Sequence, residues 1–321
     1  MPLLDIPRSR TFIAFTVLSC AVTLGVVISH HITQVQAAKR AVLAEDASVF
    51  AELAAGATPH PGANPVIVEL FTSEGCSSCP PADALLAHLQ RDQPVPSANI
   101  IALEEHVDYW DHLGWRDPFS SPYITERQRS YQAVFGLGDV FTPQFVVNGS
   151  AQFNGTDPSA VETAIARASA NTVSLQLTSV QVRMGGSPIE VSAAVANAPA
   201  THSEYVRPYA ALVDPQVTTD VHAGENNGRT LQHINAVRAF ERNGESWHMK
   251  GLGTAPFRLP LPAKSNPVGM RLVVFVQTKP FGPILGAASC SITPQNLDRP
   301  SATPPSSAAD ACPALPGTPS Q

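Results

Sequence analysis

Basic residues are scarce in this chain, and their scarcity excludes one large class of function. The 321 residues contain 20 Lys plus Arg against 26 Asp plus Glu, which gives a formal net charge of −6. Neither half of the chain carries a cluster of Lys and Arg, so no basic field is available to hold the phosphates of a nucleic acid. We therefore expect no nucleic-acid partner.

Cysteine is also rare, and its few positions are informative. Five cysteines are present, and one of them, Cys20, lies in an apolar segment near the N-terminus. The remaining four are Cys76, Cys79, Cys290 and Cys312, an even number that is compatible with one or two disulfides in an oxidising compartment. The sequence leaves open whether Cys290 pairs with Cys312, and Cys312, in a proline-rich tail, is expected to be a free or loosely paired thiol.

The length and composition predict about two domains rather than one. Hydrophobic residues make up 44% of the chain, which is typical of a globular protein, and the 30 prolines and 20 glycines favour short elements separated by turns. The predicted segments are a signal or membrane anchor (1–36), a spacer (37–64), an α/β domain (65–170), a β-rich domain (171–292) and a disordered tail (293–321).

An N-terminal hydrophobic segment predicts export. Residues 11–29 carry no charge and follow Arg8 and Arg10. This run is longer than the apolar core of an ordinary signal peptide and approaches the length of about 20 residues that spans a bilayer. We therefore expect membrane anchoring by an uncleaved helix, with cleavage near Ala37 or Ala44 as the alternative. In both cases the positive-inside rule predicts that the body lies outside the cytoplasm, on the periplasmic or extracellular face.

A pair of closely spaced cysteines follows the first predicted strand. The apolar run Val66–Phe71 is typical of a strand that is covered on both faces, and Cys76 and Cys79 come shortly after it. Two prolines directly follow Cys79, so a helix is expected to begin there with Cys79 near its N-cap. The helix terminus should lower the pKa of a thiol beside it, whereas the carboxylate of Glu74 should act in the opposite direction.

Aromatic and ionisable residues are concentrated in a second segment, Glu104–Phe119. The functional interpretation is that His106, Asp108, Tyr109 and Trp110 line a site, because ligands gather at the carboxyl ends of the strands of such sheets. The alternative is a loop whose aromatic side chains attach it to the body of the protein while its charges are solvated.

Two helices and a hairpin complete the predicted α/β domain. The segment 121–135 is expected to be a helix with Arg127 and Arg129 pointing outward, and 157–170 a helix capped by Asp157. Between them, Thr142-Pro143 opens a strand that runs to Asn148-Gly149, a strong hairpin turn signal. A cis peptide bond before Pro143 is plausible.

Three motifs in this order resemble a known family. They are Glu69–Asp83 with the Cys-Ser-Ser-Cys core, His106–Asp111 with Leu113-Gly-Trp115, and Thr142–Gly149. The order of elements resembles the thioredoxin fold, and the motifs are similar to those of the exported thioredoxin-like family catalogued as domain of unknown function 1223. The resemblance covers roughly residues 65–291.

The resemblance implies roles for individual residues. Cys76 would be the attacking thiol, Cys79 the resolving thiol, and Pro143 the cis proline that packs against the dithiol. Glu69 would correspond to the buried acid that accepts a proton, although it lies one residue farther from Cys76 than in thioredoxins. The chain also has Ser77-Ser78 between its cysteines, where thioredoxins have Gly-Pro.

Beyond residue 171 the hydrophobic period changes to two, which predicts a sandwich-like arrangement of antiparallel strands. Its most distinctive run is His222–His233, where Gly224 and Gly228 bracket a predicted turn. Hydrogen bonds within the turn would account for its polar residues, although contact with a partner is an alternative. The two histidines lie eleven positions apart without other ligand spacing, so no metal is expected there.

The sequence supports three functional hypotheses. The first is an exported thiol–disulfide exchange protein without a cofactor, whose partners are protein thiols or disulfides. The second is a copper-binding or metallochaperone module that uses Cys76, Cys79 and His106. The third is a non-catalytic envelope protein with a structural disulfide.

Overall fold

The computed structural model of the protein describes most of the chain beyond residue 60. The described residues are His60, 62–155, 157–183, 189–196, 205–242, 247–248, 254–259, Leu261, 266–297 and Cys312. The predicted N-terminal hydrophobic segment, most of the spacer and most of the predicted tail lie outside them. Within the described ranges, no helix is both long and apolar enough to cross a membrane.

The described residues alternate strands and helices in the first half and form strands almost throughout the second. The helices are α1 (Pro80–Asp92), α2 (Pro122–Phe135) and α3 (Pro158–Ser169), with short 3-10 turns at Asp111–Leu113 and Pro294–Asn296. The strands are β1 (Asn64–Thr72), β2 (Ala98–His106), β3 (Gln144–Val147), β4 (Ala151–Asn154), β5 (Val173–Ser174), β6 (Gln176–Arg183), β7 (Ile189–Ala196), β8 (Tyr205–Asp220), β9 (Thr230–Arg242), β10 (Trp247–His248), β11 (Thr254–Leu259), β12 (Arg271–Thr278) and β13 (Ile284–Ser291).

One large mixed sheet extends through both halves of the described chain. Its strand order is β4-β3-β1-β2-β9-β8-β12-β13-β5, and β10 pairs with β8 outside this path. The pairs β1–β2 and β2–β9 are parallel, whereas β1–β3 and β8–β9 are antiparallel. The link between the halves is the pairing of Glu104 with Ala236. The predicted α/β class is therefore confirmed as a mixed α/β fold.

Alternate residues of β1 and β2 face different helices. Thr72 donates a hydrogen bond from Oγ1 to Asp83 on α1, whereas Glu69 accepts one from Arg127 on α2. Side chains alternate between the faces of a strand, so odd and even positions of β1 and β2 meet different surroundings. Glu104 thus lies on the α1 face and its neighbour Glu105 on the α2 face.

A smaller sheet of three strands, in the order β11-β7-β6, packs over the second half of the large sheet. The core between the two sheets includes Val182 and Phe257 from the small sheet and Leu212, Leu272 and Val274 from the large one. This part agrees with the two-sheet packing that the alternating pattern predicts. The large sheet nevertheless continues across the boundary that we predicted after residue 170.

Several local predictions are confirmed. Cys79 is the N-cap of α1, a helix spans Pro122–Phe135, and Asp157 caps α3 by accepting a hydrogen bond from Ala160. The Thr142–Pro143 peptide bond is cis. The outward orientation predicted for Arg127 is wrong, because its guanidinium is buried against a carboxylate and several aromatic rings.

The C-terminal cysteines form a disulfide. Cys290 on β13 is bonded to Cys312, and both residues are buried at the edge of the core between the two sheets. The backbone N–H of Cys312 donates to the carbonyl of Ser291. The expectation that Cys312 is a free or loosely paired thiol is therefore wrong, because this part of the tail returns to the sheet.

Candidate functional site

The first pair of cysteines forms a disulfide at the junction of β1 and α1. Cys76 and Cys79 are bonded, with their Cα atoms 5.4 Å apart. The carbonyl of Cys79 accepts hydrogen bonds from two backbone N–H groups of the first helical turn, which fixes the bridge to the N-terminus of α1. Both cysteines have no exposed surface, whereas Ser77 and Ser78 between them are exposed.

A turn from the second half of the chain covers this disulfide. We call residues 222–229 the capping turn. Its Asn226 donates from Nδ2 to the backbone carbonyls of Glu74 and Cys76, both at 2.9 Å. Its Glu225 accepts hydrogen bonds from the backbone N–H of Ser77 at 3.0 Å and from the Ser77 hydroxyl at 2.7 Å. We call residues 73–79 the dithiol turn. The capping turn therefore holds the dithiol turn at three residues, Glu74, Cys76 and Ser77.

The cis proline lies at the same end of β1 as the disulfide. Phe71 pairs with Gln144, so Pro143 directly precedes the strand that runs beside the end of β1. Trp110 lies between the cis proline and the disulfide. Its indole Nε1 donates to the Thr142 hydroxyl at 2.8 Å. A Cβ placed on Gly75 would lie 3.2 Å from the Cβ of Trp110, so the dithiol turn approaches this tryptophan closely.

A buried cluster of histidines and carboxylates lies directly behind the dithiol turn. We call Glu74, Glu104, His106, Asp117 and His233 the histidine cluster. His233 contacts Glu104 through Nδ1 at 2.6 Å and Glu74 through Nε2 at 3.1 Å. His106 contacts Asp117 through Nδ1 at 2.7 Å. Three carboxylates and two imidazoles therefore form two hydrogen-bonded groups, His233 with Glu104 and Glu74, and His106 with Asp117.

Mutual charge stabilisation favours the ionised forms of Glu104, His106 and His233. Burial opposes the ionisation of Glu104, but the positive charge of His233 and its hydrogen bond outweigh burial and lower the pKa of Glu104 to about 2. Burial likewise opposes protonation of His233, and the charge of Glu104 overcomes it and raises the pKa of His233 to about 9. His106 follows the same rule, because Asp117 outweighs burial and holds the pKa of His106 well above its usual range.

Asp83 adds a carboxyl that behaves differently. It lies one helical turn after Cys79 on α1, is buried, and accepts a hydrogen bond from Thr72 at 2.7 Å. Burial, reinforced by the negative charge of Glu104, raises the pKa of Asp83 to about 7. The Asp83 carboxyl therefore takes up and releases a proton near neutral pH.

Glu69, the proton acceptor that the family resemblance implies, lies on the other face of the sheet. Glu69 accepts hydrogen bonds from Arg127 at 2.5 Å and from the Tyr131 hydroxyl at 2.6 Å. Gln277 also contacts Tyr131, at 2.9 Å, and Glu105 lies 3.7 Å from Arg127. We call these five residues the arginine cluster. Contacts within this cluster occupy both oxygens of Glu69. The role of Glu69 as a proton acceptor stays a prediction.

The arginine cluster favours the charged form of Arg127 and the neutral form of Glu105. The guanidinium of Arg127 lies about 5 Å from the ring centroids of Tyr131, Tyr209 and Phe240, and slightly farther from those of Phe275 and Phe281. Glu69 overcomes burial and raises the pKa of Arg127 above its ordinary value. Burial and the neighbouring charge of Glu69 raise the pKa of Glu105 well above its usual range, which favours the neutral form of this acid.

The remaining residues predicted from the 104–119 segment attach it to α2. Asp108 exchanges hydrogen bonds with Thr125, and the Tyr109 hydroxyl donates to Gln128 at 3.2 Å. Burial raises the pKa of Tyr109 to about 12. The structure thus brings Glu74, His106, Trp110, Thr142 and Pro143 to the dithiol end of the sheet, and gives Asp108 and Tyr109 contacts that position the loop.

Two residues near the disulfide, Asp83 and Trp115, had no assigned role in the sequence interpretation. Trp115 donates from Nε1 to Glu74 at 2.6 Å and packs edge-on against His222. Glu225 and Asn226 belong to the polar run that we expected to form hydrogen bonds within its own turn or to contact a partner, and they also bond to residues 74–77. No local pattern identifies the contacts of Trp115, Glu225 and Asn226, because they join segments that lie about 40 to 150 positions apart in the chain.

Comparison with known proteins gives a family and a fold relative. A family model described as "Protein of unknown function (DUF1223)" matches residues 67–277, more than half of the chain. The crystal structure of a structural-genomics target from Agrobacterium tumefaciens is 25% identical, with a TM-score of 0.51 over 71% of this chain and 94% of that one. HBP35 of Porphyromonas gingivalis is 16% identical, with a TM-score of 0.49 over 77% and 80% of the two chains. No curated protein matches significantly.

Proposed function

The chain belongs to the DUF1223 family, and we propose that it is an exported thiol–disulfide exchange protein with a thioredoxin-like site. One observation carries the proposal: the Cys76–Cys79 bridge lies at the N-terminus of α1, at the same end of β1 as the cis proline Pro143. A helix N-terminus stabilises a thiolate, and a thiolate is both the better nucleophile and the better leaving group in exchange.

The oxidised protein would oxidise a partner dithiol in two exchange steps. A thiolate of a partner protein attacks Sγ of Cys76, the Cys76–Cys79 bond breaks, and its electron pair goes to Cys79. A second thiol of the partner loses its proton and attacks the mixed disulfide, which releases Cys76. The partner gains one disulfide, and Cys76 and Cys79 become the dithiol. The reverse sequence reduces a partner disulfide.

Asp83 supports this proposal as a proton-transfer group. The thiolate that leaves as Cys79 needs a proton, and Asp83 follows Cys79 by one helical turn. Because its pKa is raised to about 7, Asp83 is half protonated near neutral pH and can return a proton afterwards. Thr72 holds the carboxyl in this position through its hydroxyl.

Access to Cys76 requires movement of the capping turn. Cys76 has no exposed surface, and Asn226 and Glu225 hold the segment around it. The contacts of Glu225 with Ser77 are exposed to solvent, so water can replace them at small cost. Opening of the capping turn would expose Cys76 to a protein partner.

The expected location is outside the cytoplasm. The proposal rests on the charge-free run 11–29, which follows two arginines and predicts export or an N-terminal membrane anchor. An oxidising compartment suits a chain with two disulfides, Cys76–Cys79 and Cys290–Cys312.

The experiment that tests the proposal is trapping of the mixed disulfide. The Cys79→Ser variant of the full chain is incubated with a model protein that contains one disulfide, and the products are mapped by mass spectrometry. We expect a covalent adduct at Cys76, because no resolving thiol remains. The Cys76→Ser variant serves as the control and should accumulate much less adduct. Failure of both variants to form an adduct, with the fold intact, would contradict the proposal.

A second candidate is a non-catalytic binding protein in which this disulfide is structural. The complete burial of both sulfurs favours it. In that case, neither sulfur should react with small disulfides or reductants until the protein unfolds. Reduction of the Cys76–Cys79 bond at the same rate as global unfolding would support this candidate.

A further inference from the structure

Three side chains of the histidine cluster converge on one buried point. The ligand-type atoms of Glu104, His106 and His233 all lie within 4.8 Å of one another, and all three residues are buried. Two distances indicate the donor atoms: Oε1 of Glu104 lies 3.6 Å from Nε2 of His106 and 2.6 Å from Nδ1 of His233. Such a group contains two imidazoles and one carboxylate, a ligand set that zinc and iron sites use.

One of these atoms has no partner in the protein. Nε2 of His106 is buried and makes no hydrogen bond to any described residue. It points toward Oε1 of Glu104, which lies 3.6 Å away and is too distant for a hydrogen bond. A buried polar atom without a partner is costly, and a ligand bound at this point would satisfy it.

The opposite nitrogen of each imidazole is fixed by a carboxylate. Nδ1 of His106 contacts Asp117 at 2.7 Å, and Nε2 of His233 contacts Glu74 at 3.1 Å. Histidines that bind metals usually donate their second N–H to a carboxylate or carbonyl in this way, which orients the ring and makes the free nitrogen a better ligand.

The two outer carboxylates are themselves held in place. Asp117 accepts hydrogen bonds from the backbone N–H groups of Glu74 and Phe119, at 2.8 Å and 2.9 Å. Glu74 accepts from Trp115 at 2.6 Å. Three carboxylates thus surround two imidazoles, so a divalent cation that displaced the protons of both imidazoles would still be neutralised by negative charge.

We propose that Glu104, His106 and His233 bind a divalent transition-metal ion of the zinc class. The ion would lie between Oε1 of Glu104, Nε2 of His106 and Nδ1 of His233. It would displace two protons to solvent, one between His233 and Glu104 and one from Nε2 of His106. Ligand atoms around tetrahedral zinc are about 3.4 Å apart, so shifts of about 1 Å would close the site. The site goes beyond the proposed exchange function and does not depend on it.

The site differs from the copper site that the sequence allowed. That site needs the sulfurs of Cys76 and Cys79, which are joined in a disulfide. The proposed site uses nitrogen and oxygen alone, so it should bind metal while the dithiol is oxidised. This difference separates the two sites by experiment.

The test is zinc binding to the oxidised full-length chain after removal of metal by a chelator. We expect about one zinc ion per chain, measured by plasma mass spectrometry after dialysis. X-ray absorption at the zinc edge should show nitrogen and oxygen ligands, two of them imidazoles, and no sulfur. A folded protein that retains no zinc at about 100 µM, far above the dissociation constants of built zinc sites, would overturn the proposal, and so would sulfur in the coordination shell.

Variants locate the site. His233→Gln should weaken zinc binding by at least about 100-fold, and Glu104→Gln should weaken it similarly. His88→Gln is the matched control, because His88 is exposed on α1, contacts Asp92 and lies outside the cluster, so this variant should leave zinc binding unchanged. Undiminished binding in both cluster variants would overturn the proposal. If neither variant folds, the ligands seen by X-ray absorption in the wild-type protein decide the outcome.

Discussion

Two buried ionic clusters lie on opposite faces of the same two strands, and they differ in the cation that each contains. On the α2 face, Glu69 and Glu105 surround Arg127. On the α1 face, Glu104 adjoins His106 and His233. Both clusters are buried near the carboxyl ends of β1 and β2, so their positions in the fold are closely comparable.

The kind of cation determines what each cluster can do. Arginine keeps its charge at every accessible pH, and the aromatic rings around Arg127 hold its guanidinium in one place. Histidine gains and loses its proton, and its nitrogens also bind metals. The arginine cluster is therefore suited to a fixed connection between α2, β1 and β12, and the histidine cluster to chemistry beside the dithiol.

Removal of the permanent cation should have the largest effect. Arg127→Leu leaves the buried Glu69 without the cation that pairs with it, so we expect the free energy of unfolding to fall by about 3–5 kcal/mol. The measurement is urea unfolding followed by circular dichroism. Arg129→Leu on the exposed side of α2 is the control and should change stability by less than about 0.5 kcal/mol. Equal losses in the two variants would contradict the structural role of Arg127.

The raised pKa of Glu105 in the arginine cluster gives a pH signature. Between its ordinary pKa of 4.5 and its raised pKa in the folded protein, Glu105 keeps its proton when folded and releases it in the unfolded chain. The unfolding free energy of the wild-type protein should therefore fall by up to about 1.4 kcal/mol per pH unit from this residue, until pH passes the folded pKa.

Glu105→Gln removes that contribution. The stability of Glu105→Gln relative to wild type, measured by urea unfolding at about pH 5, 6 and 7, should rise as the pH rises. Glu126→Gln, at an exposed position on α2, should show no such trend. A difference between Glu105→Gln and wild type that does not change with pH would show that Glu105 is ionised in the folded protein.

Removal of one titratable cation should cost less than removal of Arg127. In metal-free protein, His233→Gln keeps an amide near Glu104, and Glu104 retains its hydrogen bond from the backbone N–H of Ile234. We expect a loss of about 1–3 kcal/mol in the free energy of unfolding. A loss as large as that of Arg127→Leu would remove the distinction between the clusters.

The smallest effect concerns access to the dithiol. Glu225→Ala removes the contacts of the capping turn with Ser77, so dithiothreitol should reduce the Cys76–Cys79 bond about 2- to 10-fold faster. The rate is followed by quenching and alkylation of the freed thiols. Glu126→Ala has the same charge change elsewhere on the surface and should leave the rate unchanged. A slower rate in Glu225→Ala would contradict the covering role of the turn.

Local sequence rules predict the dithiol turn and its immediate neighbours. The apolar run predicts β1, the two prolines after Cys79 predict the start of α1, and Asn148-Gly149 predicts the β3–β4 hairpin. The resemblance to a known family adds the cis bond before Pro143. Each of these features depends on residues that are close together in the chain, which explains why the sequence reveals them.

Long-range contacts account for what sequence patterns miss. Arg127 was predicted to point outward because nothing near it on α2 shows its partner, and Glu69 lies 58 residues away. The sequence does not show the cluster around His233, because its contacts Glu74 and Glu104 lie 159 and 129 positions earlier in the chain. The extension of the first sheet by β9 and β8 brings these residues together, and no local period encodes that pairing.

The most direct test of the exchange function compares the two disulfides within one sample. The full-length protein is equilibrated in a series of glutathione buffers, alkylated, and analysed by mass spectrometry for each bond. We expect Cys76–Cys79 to have a reduction potential above about −300 mV, because α1 stabilises its thiolate, and Cys290–Cys312 to lie below that value as a structural bond. Potentials below about −300 mV for both bonds would contradict the account.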